Sequence, residues 1–199
     1  IPFQIDKTLL ERSIKENKTF EVKGVVQRAE AQNQNGRIYP REILEREVEN
    51  YVNGPIKENR ALGELDHPDS SVINLQNVSH TIKRLWWEGD DVLGEVEILA
   101  TPAGNILKAL FAAGVTVGIS SRGMGSVKEN MSEGTVEVQD DFELLCWDFV
   151  STPSTHGAFM TPKGRALQEG RLDLPTYKYN NVNNIIRDII CDNTGTCEC

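Results

Sequence analysis

Two strand-like segments joined by a short turn constrain the fold of this chain most strongly. Residues 78–86 and 92–99 are rich in β-branched and aromatic side chains, and the turn-forming sequence Glu88-Gly89-Asp90-Asp91 lies between them. So short a turn joins neighbouring antiparallel strands, because parallel strands need a crossover of a dozen or more residues. The pattern therefore predicts a sheet built from local antiparallel hairpins.

Other segments have strand character, and two have helical spacing. After Pro40, apolar residues recur at helical intervals as far as Gly54-Pro55, and Thr101-Pro102 is typical of a helix start. Since strands outnumber helices and the hairpins are local, we expect an α+β fold, mainly β, with an antiparallel β-sheet or barrel flanked by helices. The remaining predicted strands are residues 20–28, 115–121, 135–139 and 142–151.

Composition argues against nucleic acid and membranes as partners and suggests a domain boundary. The 199-residue chain has a formal net charge of −9 and no Lys/Arg cluster, which argues against nucleic acid as its main partner. No segment approaches the roughly 18 apolar residues of a membrane span. The asparagine-rich stretch 177–184 is polar. We therefore expect a folded domain over residues 1–172 and a polar tail over 173–199.

The cysteines indicate no metal centre. Cys146 lies in an apolar segment and is expected to be buried. Cys191, Cys197 and Cys199 follow the spacing C-x5-C-x-C, which is not a usual zinc pattern, and no histidine lies near them. We expect neither a metal nor another cofactor.

A strand that ends in two adjacent serines is the most informative candidate site. Its sequence is Gly118-Ile119-Ser120-Ser121-Arg122-Gly123. A nucleophilic serine needs an exposed hydroxyl and nearby backbone N–H groups that hold the oxyanion, and glycine permits a close approach of backbone to substrate. The same residues also suit a polar strand end followed by a flexible loop, and the serines alone do not separate these interpretations.

The chain has three histidines that are candidates for a general base. Imidazole suits this role because its ordinary pKa lies near neutrality. His67, which precedes Pro68, is the preferred base, and His156, in a loop, remains a rival. His80 lies inside a predicted strand and is expected to be structural or on the surface.

Asp148 interrupts an apolar strand, where a carboxylate costs free energy unless it is paired or hydrogen-bonded. One interpretation places Asp148 on the solvent face of an alternating strand. The other makes it the group that orients a histidine and stabilises its imidazolium form.

Four motifs, in order over about residues 20–165, resemble the T4-type prohead core protein proteases. They are Asn35-Gly36-Arg37-Ile38-Tyr39-Pro40, Gly63-Glu64-Leu65-Asp66-His67-Pro68, Val117-Gly118-Ile119-Ser120-Ser121-Arg122-Gly123 and Trp147-Asp148-Phe149-Val150-Ser151-Thr152-Pro153-Ser154.

The resemblance implies a closed antiparallel β-barrel surrounded by helices, as in the herpesvirus maturation proteases, and a catalytic triad. The nucleophile of that wider group lies in a Ser-x-Gly pattern, which Ser121 fits and Ser120 does not. Adjacent strand residues face opposite ways, so only one of these serines can face the base. The resemblance thus implies Ser121, His67 and Asp148 as triad. Arg122 and Gly123 would belong to the oxyanion or substrate region, although Arg122 equally suits a surface charge.

The resemblance also implies a function: a serine endopeptidase that cleaves scaffold core proteins and other head proteins during phage capsid maturation. Such an enzyme acts inside the prohead, in the cytoplasm of the bacterial host, and cuts after Glu in Leu/Ile-x-Glu contexts. Leu167-Gln168-Glu169-Gly170 is then a candidate self-processing site, with the cut between Glu169 and Gly170. Self-association is left open. The alternative is a non-catalytic capsid scaffold or assembly protein of the same lineage.

Overall fold

The computed structural model describes residues 20–130 and 134–163, which contain ten β-strands and two α-helices. The strands are β1 (Phe20–Arg28), β2 (Arg37–Ile38), β3 (Leu62–Glu64), β4 (Val78–Glu88), β5 (Asp91–Ile98), β6 (Gly118–Met124), β7 (Val127–Asn130), β8 (Thr135–Val138), β9 (Glu143–Val150) and β10 (Thr161–Pro162). The helices are α1 (Arg41–Tyr51) and α2 (Pro102–Ala112).

The largest sheet has five antiparallel strands in the order β10-β1-β5-β4-β3. Its β4–β5 hairpin closes where Glu88 pairs with Asp91, and Gly89 in the turn has a φ of +59°. Glycine adopts this left-handed conformation without a steric penalty. Buried and half-buried residues alternate along β5, so one face of the sheet covers the core. The predicted hairpin is confirmed.

The remaining strands form two smaller sheets, β2-β8-β7 and β6-β9. The β6–β9 ladder meets β3 through a single parallel bridge between Leu65 and Phe149. The prediction of a mainly β fold with helices is confirmed. The expected closed barrel does not occur in the described residues, because the five-stranded sheet and the β6–β9 ladder are separate sheets joined only by isolated bridges, Leu65–Phe149 and Gly118–Phe159. The herpesvirus-like architecture stays a prediction.

Both predicted helices form, but the first ends differently from expected. Gly54-Pro55 does not end the helical conformation, because residues Val52–Ile56 continue α1 as a π-helical turn. Its wider i→i+5 spacing appears in the bond from the Lys57 N–H to the Val52 carbonyl, 3.2 Å. Helix α2 begins as predicted, since the Thr101 hydroxyl accepts a hydrogen bond from the Gly104 N–H at 3.0 Å.

The core lies between the helices and the sheets, and aromatic side chains dominate it near the β6–β9 ladder. Trp147 and Phe149 are fully buried. The Trp147 ring meets the edge of Tyr51 from the end of α1 at 5.0 Å, and Phe149 packs against Phe111 of α2 at 6.0 Å. Both helices therefore press on β9. Of the helices in the described parts of the chain, none has the length and apolar character to cross a bilayer.

Several predictions fall on residues outside the described ranges. These are the tail over 173–199, the three C-terminal cysteines, and the candidate self-processing site at Glu169 and Gly170.

Candidate active site

The β6–β9 ladder forms the backbone frame of the candidate site. In its antiparallel register Ser120 lies opposite Asp148, and Ser121 lies opposite Trp147. Just beyond β3, Leu65 forms the bridge to Phe149. Three segments that are distant in sequence therefore meet beside this ladder, and they carry the serines, the aspartate and His67.

The turn before His67 is held on both sides. The Asp66 N–H donates to the Phe149 carbonyl at 2.8 Å, and the Asp66 carboxylate accepts a hydrogen bond from the His67 N–H at 2.9 Å. Asp66 has a φ of +73°, a left-handed conformation that few residues other than glycine adopt and that aspartate tolerates. This anchored turn directs the His67 side chain toward β9.

His67 lies between a buried carboxylate and solvent. Its Nδ1 is 3.0 Å from Oδ2 of Asp148, whose side chain is fully buried, whereas 38% of the His67 side chain is exposed. One side of the imidazole thus contacts Asp148 while Nε2, on the far side of the ring, remains available for a proton.

Ser121 and His67 line the same two adjoining cavities, each of about 210 Å³. Ser121 is half-buried on β6. In the described part of the chain its hydroxyl makes no hydrogen bond to His67. Hydrogen bonds of a catalytic pair are often long in a free enzyme and shorten only when substrate binds.

Ser120 is engaged elsewhere. Its hydroxyl lies 2.9 Å from that of Ser154, and the residue is 8% exposed. It borders only the first of the two cavities, whereas Ser121 borders both. Of the two serines, Ser121 has the hydroxyl without a hydrogen-bonding partner among the described residues.

The other two histidines lie apart from these cavities. His80 is fully buried, with Nδ1 2.8 Å from the Ser79 hydroxyl and Nε2 3.0 Å from the Trp147 carbonyl. Burial lowers the pKa of His80 to about 3. It is therefore neutral, with Nε2 donating to the carbonyl, and the structural role predicted for it fits these contacts. His156 is exposed and lines neither cavity.

Asp148 is fully buried, so the interpretation that places it on the solvent face is wrong. Its Oδ1 accepts a hydrogen bond from the Glu64 N–H at 2.9 Å. Burial raises the pKa of this carboxyl, while the Glu64 N–H, the charge of Arg122, the Cys146 thiol and His67 act in the opposite direction.

Arg122 Nε lies 3.0 Å from Oδ2 of Asp148, the same oxygen that His67 contacts, and the Arg122 side chain is only 5% exposed. Its guanidinium contacts Asp148 at 3.0 and 3.2 Å and Glu64 at 2.8 Å. Burial lowers the pKa of Arg122, but the hydrogen bond to Glu64 and the charge of Asp148 outweigh it, so the net pKa is raised. The surface-charge interpretation of Arg122 is wrong, and its side chain lines neither cavity.

Glu64 was missed by sequence reasoning. It is fully buried, directly before the bridge at Leu65, and pairs with Arg122. The signal was present, because a glutamate three residues before the candidate base in an otherwise apolar strand end needs a buried cation or a hydrogen-bond donor.

Gly123 borders the second cavity and leaves no room for a side chain. A Cβ there would lie 2.5 Å from the Phe142 ring and 2.7 Å from the Glu143 carbonyl. Glycine at this position therefore allows Phe142 and Glu143 to pack closely against the backbone beside Ser121. Its role in the oxyanion region stays a prediction.

The site combines a hydroxyl, an imidazole and a buried carboxylate, which is the set of groups used for acyl transfer by a serine nucleophile. Within the described residues, no group of three or more His, Cys, Asp or Glu side chains is placed to hold a metal ion.

The chain is similar to known proteins in sequence and in fold. The family model of the prohead core protein serine proteases matches residues 8–169. The prohead core protein protease of Enterobacteria phage T4 is 37% identical over 145 residues, a match that covers 71% of this chain and 68% of that protein. Among solved structures, the bacteriophage T4 capsid assembly protease, gp21, is similar with a TM-score of 0.64 and 34% identity, over 67% of this chain and 82% of that chain.

Proposed function

Because this chain belongs to the prohead core protein serine protease family, we propose that it is a serine endopeptidase that cleaves scaffold core and other head proteins during phage capsid maturation. The observation that carries the proposal is the arrangement of His67, with buried Asp148 on one side and the cavity of Ser121 on the other. By analogy with the T4 relatives, it acts inside the prohead, in the cytoplasm of the bacterial host.

The proposed mechanism is acyl transfer. His67 takes the proton of the Ser121 hydroxyl as its oxygen attacks the scissile carbonyl carbon. Asp148 holds the imidazole through Nδ1 and stabilises the imidazolium that forms. The imidazolium then protonates the leaving amine, and water hydrolyses the acyl-enzyme by the same proton transfers. Backbone N–H groups near Gly123 stabilise the tetrahedral oxyanion.

We assign the preference for a glutamate before the cleaved bond to Arg37. This residue lines both cavities beside Ser121 and His67. Among the described residues, no other arginine or lysine lines either cavity. Its guanidinium makes no ion pair there, whereas Arg28, Arg41, Arg46, Arg60 and Arg122 each have a carboxylate partner. A cation left without a partner beside the reacting groups suits a substrate carboxylate.

The second cavity supplies an apolar surface next to Arg37. Met124 and Val127, each nearly half exposed, line it together with buried Val138 and Phe142. An apolar side chain of the substrate would lose water there. This surface supports cleavage in Leu/Ile-x-Glu contexts, and Leu167-Gln168-Glu169-Gly170 matches that pattern as a candidate self-processing site.

Two matched serine variants test the proposal. The full chain is incubated with a scaffold-derived peptide that contains a Leu-x-Glu sequence, and products are identified by mass spectrometry. Ser121→Ala is expected to abolish cleavage, while Ser120→Ala, which removes only the contact with Ser154, is expected to retain it.

Three results would contradict parts of the proposal. Cleavage that persists in Ser121→Ala excludes Ser121 as the nucleophile. A wild-type chain that leaves every scaffold peptide intact favours the non-catalytic assembly protein. An active wild-type chain whose own mass stays unchanged, or that is cut elsewhere, removes the self-processing site at Glu169.

A further inference from the structure

Three charged side chains are buried together behind His67. Glu64 and Asp148 are fully buried, and Arg122 is 5% exposed. Glu64 lies on β3, Arg122 on β6 and Asp148 on β9, so each of the three strands beside the site contributes one charged residue. Because water screens buried charges poorly, the electrostatic interactions between the three charged groups of the cluster are strong.

Arg122 contacts both carboxylates, and its Nε also donates a hydrogen bond to the Cys146 sulfur at 3.3 Å. Its Nη2 donates to Glu64 Oε1 at 2.8 Å and lies 3.2 Å from Asp148 Oδ1, while its Nε is 3.0 Å from Asp148 Oδ2. The remaining nitrogen, Nη1, donates to the Ser70 carbonyl at 2.9 Å. The guanidinium therefore contacts both oxygens of Asp148, including Oδ2, which His67 also contacts.

The charges of the cluster matter for the proton that His67 takes. Two carboxylates and one guanidinium have a net charge of −1. An Asp148–Arg122 pair without Glu64 would be neutral, and Asp148 would offer a forming imidazolium much less net attraction. With Glu64 present, protonation of His67 brings the whole group to neutrality.

We propose that Glu64 is a positioning residue that compensates the charge of Arg122, so that the negative charge of Asp148 remains available to the imidazolium of His67. This inference rests on the proposed function, since it concerns the proton transfer from Ser121.

Stability does not explain a buried glutamate at this position. Oε1 of Glu64 accepts hydrogen bonds from Arg122 and from the Asn74 N–H, but Oε2 is buried without a hydrogen-bond partner among the described residues. A buried carboxylate with an unpaired oxygen costs free energy, and buried ion pairs often add no net stability over apolar residues. An electrostatic role accounts for a buried glutamate at this position.

The other titratable groups packed around the cluster do not change its charge. Burial raises the pKa of the Cys146 thiol to about 12, and burial also raises the pKa of the Tyr51 hydroxyl, so both are neutral. Arg60 lies near Tyr51. On the solvent side of His67, the Asp66 carboxylate caps its N–H and Arg37 lines the cavity. None of these residues is substituted in the variants described below.

The test measures the pH dependence of Ser121 phosphonylation by a fluorophosphonate probe in the full chain. The Ser121 oxygen forms a bond to phosphorus, fluoride leaves, and His67 takes the hydroxyl proton. The probe carries no peptide, so its rate does not depend on substrate preference. The variants are Glu64→Gln and the double variant Glu64→Gln with Arg122→Gln. Glu47→Gln, which removes an 8%-exposed glutamate beside Arg46, is the matched control.

Glu64→Gln is expected to move the acid limb of the rate profile down by about 0.5 to 1 pH unit and to lower the plateau rate roughly tenfold. The double variant again has a net charge of −1 and is expected to return the acid limb to its wild-type position. Glu47→Gln is expected to leave the profile unchanged. A merely structural role for Glu64 predicts instead that the double variant is more impaired than the single one.

The outcomes separate the inference from the proposed function. A wild-type chain that the probe does not label at Ser121 contradicts the proposed function. A labelled wild-type chain with an unmoved acid limb in Glu64→Gln overturns the inference alone. If Glu64→Gln does not fold, Glu64→Asp and Arg122→Lys are compared instead. Both keep the charge, so a displaced acid limb in either variant would equally overturn it.

Discussion

Nδ1 of His67 lies 3.0 Å from Oδ2 of Asp148, at the boundary between a fully buried carboxylate and an open cavity. This contact fixes which imidazole nitrogen faces the protein and which faces the substrate. Asp148→Asn keeps the size of the side chain but removes its charge, so the imidazole loses both its preferred tautomer and its stabilised imidazolium form. We expect kcat/KM for a Leu-x-Glu peptide to fall about 10³- to 10⁴-fold.

The control for Asp148→Asn is folding, measured by circular dichroism and by the urea midpoint. A folded variant within tenfold of the wild-type kcat/KM would remove Asp148 from the triad.

Replacement of Arg37 should change substrate preference more than chemistry. Arg37→Gln is expected to lower kcat/KM for a Leu-x-Glu peptide about 10- to 100-fold, because a charge-assisted hydrogen bond to the carboxylate is lost. The rate with a Leu-x-Gln peptide should change little. Arg84→Gln is the matched control, since Arg84 stacks on Trp86 and lines neither cavity. Equal losses with both peptides would show that Arg37 does not recognise the acidic side chain.

His80 should make the protein sensitive to acid. Burial lowers the pKa of His80 to about 3, whereas an unfolded histidine has a pKa of about 6.5. Between these values the unfolded state binds more protons, so the free energy of unfolding falls as pH decreases from about 6.5 toward 3, by up to about 1.4 kcal/mol per pH unit.

His80→Gln should lose this dependence. Its amide can still donate to the Trp147 carbonyl, and urea midpoints at pH 5 and pH 7.5 measure the change. The raised pKa of Asp148 acts in the opposite direction, because this carboxyl holds its proton to a higher pH in the native state than in the unfolded state, so its contribution to the free energy of unfolding falls as pH rises. That contribution is the same in both proteins and cancels in the comparison. A pH dependence in His80→Gln as steep as in the wild type would contradict the assignment.

Gly63 is where β3 approaches β9 most tightly. A Cβ at this position would overlap the Trp147 carbonyl oxygen and the His80 ring. Gly63→Ala is therefore expected to cost about 2 to 3 kcal/mol and to lower activity, because β3 carries the turn that holds His67. Gly54→Ala is the control, since its Cβ would meet only the end of Arg60 at 3.7 Å. Thermal unfolding of the two variants compares them, and equal midpoints would contradict this account.

Local features of the fold could be predicted from the sequence. Strand β1 spans the predicted residues 20–28, the β4–β5 hairpin closes at its predicted turn, and Thr101 caps α2. Each depends on residues within a few positions of one another. The continuation of the first helix through Pro55 was not predicted, because a π-helical turn has no distinct local pattern.

The buried contacts among Glu64, Arg122 and Asp148 could not be predicted from local sequence patterns. The Glu64 N–H and the Asp148 carboxylate that it meets are 84 residues apart in sequence, and Arg122 joins them from a third strand. Strand alternation shows that a side chain points to one face but not whether that face is buried. For this reason the sequence did not decide between a surface charge and a site residue for Arg122, and it predicted no role for Glu64.

The single bridge between Leu65 and Phe149 has a consequence for when activity arises during folding. Ser121 and Asp148 become neighbours only when the β6–β9 ladder has formed, and His67 joins them only when this bridge closes a loop of more than 80 residues. Such distant contacts form late, because closing a long loop loses chain entropy before the contact contributes any favourable free energy. A partly folded chain without this bridge would therefore have its serine and histidine apart, and the proposed protease would be inactive until the bridge has formed.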